Sequence, residues 1–341
     1  MSQRSQRKKD HIDLANKYYL PHPDADFSGI NLIRPALPES KISSDSIQTN
    51  FFHKIASAPF FIEAMTGGSD ESYEINRRLA FCAKKENIAM ALGSASILEK
   101  EPEQLKSFVI AREINPTGIL LANINPLTKP KVADQIVKEL QADALQIHLN
   151  AVQEAAMTEG DRDFHWLDNI LEIQQLVNVP LIIKEVGMGL DPFSVKKLAK
   201  LGINYFDVGG MGGTNFVHIE NQRTANKDNL FLDDLGLSTV KSLLSNLQEI
   251  SHVNFIASGG INSSINIFKS LVLGAKYVGI ANHFLHLSMQ DKNGTALISE
   301  IQKLKYQLII LMALFGINKL DDVKKVKYYL SLELTNFLNQ I

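Results

Sequence analysis

The chain has 341 residues, enough for one large domain with extensions, and its 45% hydrophobic and 21% charged content is ordinary for a globular protein. A formal net charge of −2 gives no overall basic field for nucleic acid. The single cysteine, Cys82, excludes an internal disulfide and a cysteine-based zinc site, and is expected in a helix core.

Residues 1–10 are polar and basic, with no apolar segment of the kind that opens a secretory signal. The apolar run 308–315 is too short to span a bilayer, so the expectation is a cytoplasmic protein with no membrane segment. Residues 1–50 are polar and carry Pro21, Pro23, Pro35 and Pro38, which reads as an extension ahead of the first strand. Within it, Arg7-Lys8-Lys9-Asp10-His11 could grip a diphosphate through the planar arginine fork, or could be a solvated tail.

Eight short β-rich runs follow, with helical patterns between them. They begin with Phe60-Phe61-Ile62, Ala89-Met90-Ala91-Leu92, Ile119-Leu120-Leu121-Ala122 and Ala144-Leu145-Gln146-Ile147-His148. Leu181-Ile182-Ile183-Lys184, Tyr205-Phe206-Asp207-Val208, Phe255-Ile256-Ala257 and Tyr277-Val278-Gly279-Ile280 complete the set. Strands alternating with helices predict parallel βαβ units, and eight of them close a barrel. The expected architecture is therefore α/β, a (β/α)8 TIM barrel forming one domain over 1–341.

Helix boundaries carry their own chemistry. Val132, Ala133, Ile136, Val137 and Leu140 keep the i, i+3, i+4 spacing behind Pro130. Asp191-Pro192 opens a helix that Gly202 closes, and the segment 263–273 ends at Gly274 in the same way. Two regions stand outside the repeat. Residues 215–236 read as a flap at the C-terminal face or as a surface insertion. Residues 295–341 read as C-terminal helices packed outside the barrel or against another subunit.

Active sites of such barrels gather where the strands end. On the fourth run Gln146, His148 and Asn150 alternate with Leu145, Ile147 and Leu149, so period two points the polar set into the lumen. Unpaired buried polar groups there cost on the order of 1–3 kcal/mol each, which a ligand would recover unless His148 and Asn150 satisfy each other. Lys184 would face a bound aromatic cofactor or phosphate, or pair with a carboxylate such as Glu154. Glu154, at the mouth, suits Mg²⁺ shared with a substrate phosphate, or is a surface carboxylate. After the sixth run, Gly209-Gly210-Met211-Gly212-Gly213-Thr214 leaves backbone N–H groups bare for an anion, and Ser258-Gly259-Gly260-Ile261 follows the seventh. Two glycine loops one β/α unit apart point to a phosphate site.

Taken in order, Arg7-Lys8-Lys9-Asp10-His11-Ile12, Met65-Thr66-Gly67-Gly68, His148-Leu149-Asn150-Ala151-Val152-Gln153-Glu154, Lys184-Glu185-Val186-Gly187 and the two glycine loops resemble type 2, flavin-dependent isopentenyl-diphosphate Δ-isomerase. The resemblance runs from about residue 7 to about residue 285. It implies an FMN-binding, homo-oligomeric barrel, a tetramer or octamer. Such a barrel interconverts isopentenyl and dimethylallyl diphosphate with reduced FMN, Mg²⁺, and NADPH or NADH as reductant. By the same resemblance Arg7, Lys8, His148, Asn150 and Ser94 bind substrate, Gln153 lies at the reacting carbons, and Glu154 holds Mg²⁺. Met65, Thr66, Gly67, Ser94, Asn123, Lys184 and Thr214 contact FMN. Gly259, Gly260 and Ile261, with Ala281 and Asn282, close around its phosphate.

One departure is visible. Many members of that family read Gly-Ser-Gln-Arg after the second strand, whereas this chain reads Gly93-Ser94-Ala95-Ser96, without the cation. Moving a double bond needs a proton added at one carbon and removed at another, and Gln153 has no useful pKa of its own. A 2-hydroxy-acid oxidase would need a histidine and an arginine near the loop 209–215, which has neither. A dehydrogenase of the inosinate type would need a loop cysteine, and Cys82 lies in the first barrel helix. A non-catalytic phosphate-ligand sensor on the same barrel would be colourless.

Overall fold

A computed structural model of the chain describes residues 3–224, 228–249 and 252–341. Eight parallel strands form the closed barrel: β1 (Phe60–Ile62), β2 (Met90–Ala91), β3 (Leu120–Ile124), β4 (Ala144–Leu149), β5 (Leu181–Glu185), β6 (Tyr205–Asp207), β7 (Asn254–Ala257) and β8 (Ala275–Ile280). The sheet runs in sequence order and closes through the pairing of Val278 with Phe60. All eight expected runs are strands, with ends that differ by no more than two residues.

Two periodicities build the wall. Outward residues such as Leu145, Ile147, Phe206 and Val278 pack under the surrounding helices. Inward residues form tiers two positions apart on every strand. One tier is largely apolar: Phe61, Ala91, Leu121 and Ala144, then Ile182, Tyr205, Ile256 and Tyr277. Two residues further along the same strands stand Glu63, Gly93, Asn123 and Gln146, then Lys184, Asp207, Ser258 and Gly279. A dry plug thus supports a polar or open tier at the mouth. A hairpin, Thr49–Phe51 with Lys54–Ala56, seals the plug from below. Phe51 stacks on Tyr277 at 4.0 Å, and the Tyr277 hydroxyl donates to the carbonyl of Asn50.

The helices begin where their caps place them. Asp191 accepts the N–H groups of Phe193 and Ser194 at the start of the helix Pro192–Lys200, and Gly202 takes φ +92° after its end. Ser263 caps Ser264–Val272 in the same manner. Cys82 is buried in Asp70–Glu86, its thiol pushed up to about 12 by burial.

Three segments take forms that the sequence reading did not specify. The N-terminal basic cluster lies on a helix, α1 (Gln3–Lys17), which buries Ile12 and Ala15 and crosses the mouth. Residues 215–236 contain a helix, α2 (Phe216–Arg223), started by Asn215, and a turn at Leu230–Leu232, with residues 225–227 outside the described chain. The C-terminal segment is not wholly helical: after the helix Thr295–Leu314, strand Tyr328–Leu330 pairs antiparallel with Ile30–Leu32. That pairing joins segments about 300 residues apart, which local pattern does not encode.

Removing the aromatic plug should loosen the barrel from below. Phe51→Ala is expected to cost roughly 3–5 kcal/mol of stability in denaturant unfolding. A loss under about 1 kcal/mol would mean that the hairpin does not brace the lumen.

Candidate active site

The two glycine loops meet backbone to backbone. A Cβ at Gly259 would lie 2.0 Å from the carbonyl oxygen of Gly210, and one at Gly213 would lie 2.7 Å from the N of Gly260. The primary reason for these glycines is therefore the close approach of the loops, with Gly259 also at φ +101°. Thr239 fastens the arrangement by donating its hydroxyl to the carbonyls of Ser258 and Gly259. Beside the joined loops, the Thr214 hydroxyl and the side-chain amide oxygen of Asn282 are buried without a partner. A buried orphan donor at a glycine loop is what a bound phosphate would satisfy.

The loops wall a cavity of about 770 Å³, its open mouth included, within the usual range for a small-molecule site. Met65, Lys184, Thr214, Gly259, Gly260 and Ile261 line it, with Ala281 and Asn282. A second, wider cavity adjoins it. Arg7, Lys8, Ser94, His148, Asn150, Gln153 and Glu154 line that one, together with Thr66, Gly67 and Asn123. Ala64, Met65, Lys184, Val186 and Phe216 belong to both and form the boundary. The site residues implied by the resemblance thus line one or both of two adjoining chambers, whereas Gln146 lies buried beneath them.

Some of those side chains are already engaged. Lys8 donates to the carbonyls of Gly67 and Ser94, both at 2.6 Å, so α1 is stitched to the ends of β1 and β2. The Thr66 hydroxyl turns away from the cavity to Asn76. Ser94 donates to Ser96, whose hydroxyl accepts from the N–H of Asn125, so the small residues after β2 form a tight buried turn. Lys184 donates to the Glu185 carbonyl at 2.9 Å rather than to Glu154. His148 bonds Asn123 at 2.8 Å rather than Asn150.

Sequence reasoning missed a charged group behind Gln153. Its amide N donates to Glu220 at 3.2 Å, and its amide oxygen faces Asn150 at 3.4 Å. Glu220 is fully buried on α2 and also binds His11 at 2.7 Å and Arg223. Burial pushes the Glu220 carboxyl up, but His11, Arg223 and Gln153 outweigh it and hold the group below its usual range. The signals were present: Arg7 and His11 share a face at i, i+4, and Glu220 precedes Arg223 by three.

The polar tier forms a directed chain. Asn123 donates to Gln146 at 3.0 Å, and Gln146 donates to Glu63 at 2.8 Å. Asn123 therefore offers its oxygen to His148, which assigns the hydrogen to Nδ1 and leaves Nε2 an acceptor. Burial, then the cations of Lys184 and Lys8, push the imidazole down to about 3. Glu185 is pushed up to about 7 by burial, against two backbone N–H bonds and Lys184.

Among the described residues no three His, Cys, Asp or Glu side chains are grouped to hold a metal. Glu154 accepts from Asn150 at 3.1 Å and from the N–H of Asp161 at 2.9 Å, so it is a single oriented carboxylate at the mouth. No helix among the described residues is long and apolar enough to cross a membrane.

Comparison with known proteins matches residues 100–329 to the family described as FMN-dependent dehydrogenase. An isopentenyl-diphosphate delta-isomerase of Latilactobacillus sakei is 39% identical over 98% of this chain and 96% of its own length. One from Limosilactobacillus reuteri is 40% identical over 99% and 98%. Among solved structures, a putative lactate oxidase of Pediococcus acidilactici aligns with TM-score 0.70 at 14% identity, covering 96% of this chain and 93% of that one. The flavin-binding domain of baker's yeast flavocytochrome b2 aligns with TM-score 0.66 at 17% identity, over 93% and 78%. At such identities these two speak for the barrel alone.

Two outcomes follow from the geometry. Thr214→Val should leave the ligand-free protein as stable or slightly more so, because an unsatisfied buried hydroxyl is removed, while FMN affinity falls at least several-fold by flavin fluorescence titration. Equal affinity would mean that Thr214 faces no phosphate. His148, with its folded value far below the usual ~6.5, should remain neutral in ligand-free protein down to about pH 5 by NMR. The unfolded chain then binds the extra proton, so the His148 contribution to stability is complete above about 6.5 and is lost as pH falls towards 3. An imidazolium signal for His148 above about pH 5 would overturn this.

Proposed function

This chain belongs to the isopentenyl-diphosphate delta-isomerases and carries an FMN-dependent dehydrogenase domain, and from that premise we propose that it interconverts isopentenyl and dimethylallyl diphosphate by a 1,3-allylic proton shift. We take reduced FMN and Mg²⁺ as its working cofactors and NADPH or NADH as the reductant. The observation that carries the reading is the pair of adjoining chambers divided at Ala64, Met65, Lys184, Val186 and Phe216. One offers glycine loops and an unpaired threonine hydroxyl; the other offers Arg7, Lys8, His148 and Glu154.

In this scheme Thr214, Gly259, Gly260 and Ile261, with Ala281 and Asn282, hold the FMN phosphate. Met65, Thr66, Gly67, Ser94, Asn123 and Lys184 border its ring. Thr66 and Gly67 would act through their backbone, since the Thr66 hydroxyl is spent on Asn76. The flavin, once reduced, supplies an N5–H and an electron-rich N1 edge for proton handling that the side chains lack. Lys184 compensates charge at that edge.

Arg7 and Lys8 bind the diphosphate, with His148, Asn150 and Ser94 beside them. Glu154 would supply one carboxylate to a Mg²⁺ ion, whose charge would help to neutralise the diphosphate. Neutral His148, with Nε2 left as an acceptor, would take a hydrogen bond from a protonated diphosphate oxygen. Gln153 orients the reacting carbons, its own amide fixed between Asn150 and ionised Glu220. Helices α1 and α2 cover the mouth and exclude water. Exposed Phe193 and Leu332, at 85% and 82%, support a homo-oligomer, and the lone buried cysteine suits a reducing cytoplasm.

The test is conversion of isopentenyl diphosphate with FMN, Mg²⁺ and NADPH, each omitted in turn. Activity that survives without flavin would defeat the scheme. Glu154→Gln should raise the Mg²⁺ concentration needed while FMN stays bound; an unchanged titration would make Glu154 a surface carboxylate. Gln153→Ala should lower kcat by about 100-fold or more with little change in KM and normal flavin content. A rise confined to KM would make Gln153 a binding residue only.

A further inference from the structure

Glu63 and Asp207 face each other across the lumen below the chambers, one following β1 and the other ending β6. They are 3% and 0% exposed. One oxygen of each is fully engaged. Glu63 Oε1 accepts from the N–H of Ala64 and the amide of Gln146, both at 2.8 Å. Asp207 Oδ1 accepts from the hydroxyl of Ser258 and the N–H of Gly209. The remaining oxygen of each, Glu63 Oε2 and Asp207 Oδ2, is buried and has no donor, although the two side chains are within hydrogen-bonding reach. Two acceptors cannot satisfy each other; a proton between them satisfies both.

The surroundings are built around this contact. Gly279 leaves room for the Glu63 carboxyl, since a Cβ there would lie 2.4 Å from Oε2. Lys184 stands in register with Asp207 on the neighbouring strand and is the cation acting on it. Two ionised carboxylates beside one ammonium would leave an excess buried charge, whereas one shared proton leaves the cluster balanced.

We propose that Glu63 and Asp207 hold a single proton between them, and that this acid–carboxylate pair is a positioning element that fixes the charge beneath Lys184 and the flavin edge above it. Its direction propagates outward: Glu63 receives from Gln146, which receives from Asn123, which orients His148. Burial and the facing carboxyl of Glu63 raise Asp207 well above the usual carboxylate range, in keeping with the shared proton. The part of the proposal that concerns the flavin rests on the reading above; the shared proton does not.

Infrared spectroscopy of the full chain, with and without FMN, reads the proton directly as a carboxylic-acid carbonyl band. At about pH 9, where Glu185 is ionised, the wild type should show this band. Glu63→Gln and Asp207→Asn should each lose it, because an amide then donates to the remaining carboxylate. Each single variant keeps one negative charge, so its flavin midpoint potential should match the wild type. The double variant removes that charge and should raise the potential. A wild type without the band, or a Glu63→Gln variant whose potential alone rises, would overturn the proposal. If the double variant does not fold, loss of the band with unchanged potentials in both single variants supports it. A protein that binds no flavin would remove the proposed function and the claim about the flavin edge, while the infrared result would still decide the pair.

Discussion

A barrel lumen cannot hold polar side chains unless each finds a partner, and this constraint organises the structure. The strands leave a dry tier at Phe61, Ile182, Ile256 and Tyr277, sealed by Phe51. Two residues on, the same strands deliver Glu63, Asn123, Gln146, Lys184, Asp207 and Ser258. Those groups sit above a low-dielectric plug and below the chambers, so each hydrogen bond among them is strong and each missing one is costly. The chain from His148 through Asn123 and Gln146 to Glu63 is how the tier meets that cost. Of the buried polar atoms left without a partner, those of Thr214 and Asn282 lie where a ligand would enter.

Identical carboxyl chemistry takes opposite states on the two sides of the site. Glu220 is buried but faces His11, Arg223 and Gln153, so its charged form wins. Asp207 is buried against another carboxyl, so its neutral form gains. Neighbours, rather than burial alone, decide which prevails. The ionised group lies behind the amide proposed to sit at the reacting carbons. The pair with the retained proton lies beneath the proposed flavin. The division separates a group beside the proposed substrate chamber from groups beneath the proposed cofactor.

The mouth is closed by two helices that lie outside the eightfold repeat. Helix α1 reaches the strand ends through Lys8, and its far end is tied through the Asn282 bond to the Ala15 carbonyl. Helix α2 brings Phe216 to the partition and Glu220 to Gln153. An ion pair from Arg223 to Asp10 joins the two covers, and Glu159 bridges Arg223 and Arg7. The wider chamber and its cover are therefore one hydrogen-bonded unit, and loss of α1 would remove Arg7, Lys8 and one of the partners of Glu220, His11.

Local pattern determined much of this protein. Period two on β4 separates Gln146 and His148 from Leu145 and Ile147, and caps such as Asp191 and Ser263 mark helix starts, because both effects act within a few residues. The order of motifs led to an isomerase family and to chambers lined by the residues it implied. What tertiary structure alone decided is long-range. Period two marks Glu63 as inward but does not set it against Asp207, because they lie on strands that are neither adjacent in sequence nor paired in the sheet. Glu220 gains its meaning from His11, which is 209 residues away. The strand Tyr328–Leu330 exists because Ile30–Leu32 is there to pair with it. The glycines of the two loops read as bare anion-binding backbone in sequence, yet contact between the loops is what forbids a side chain at Gly259. Each of these depends on which distant groups the closed barrel brings within hydrogen-bonding range, and sequence spacing carries no measure of that distance.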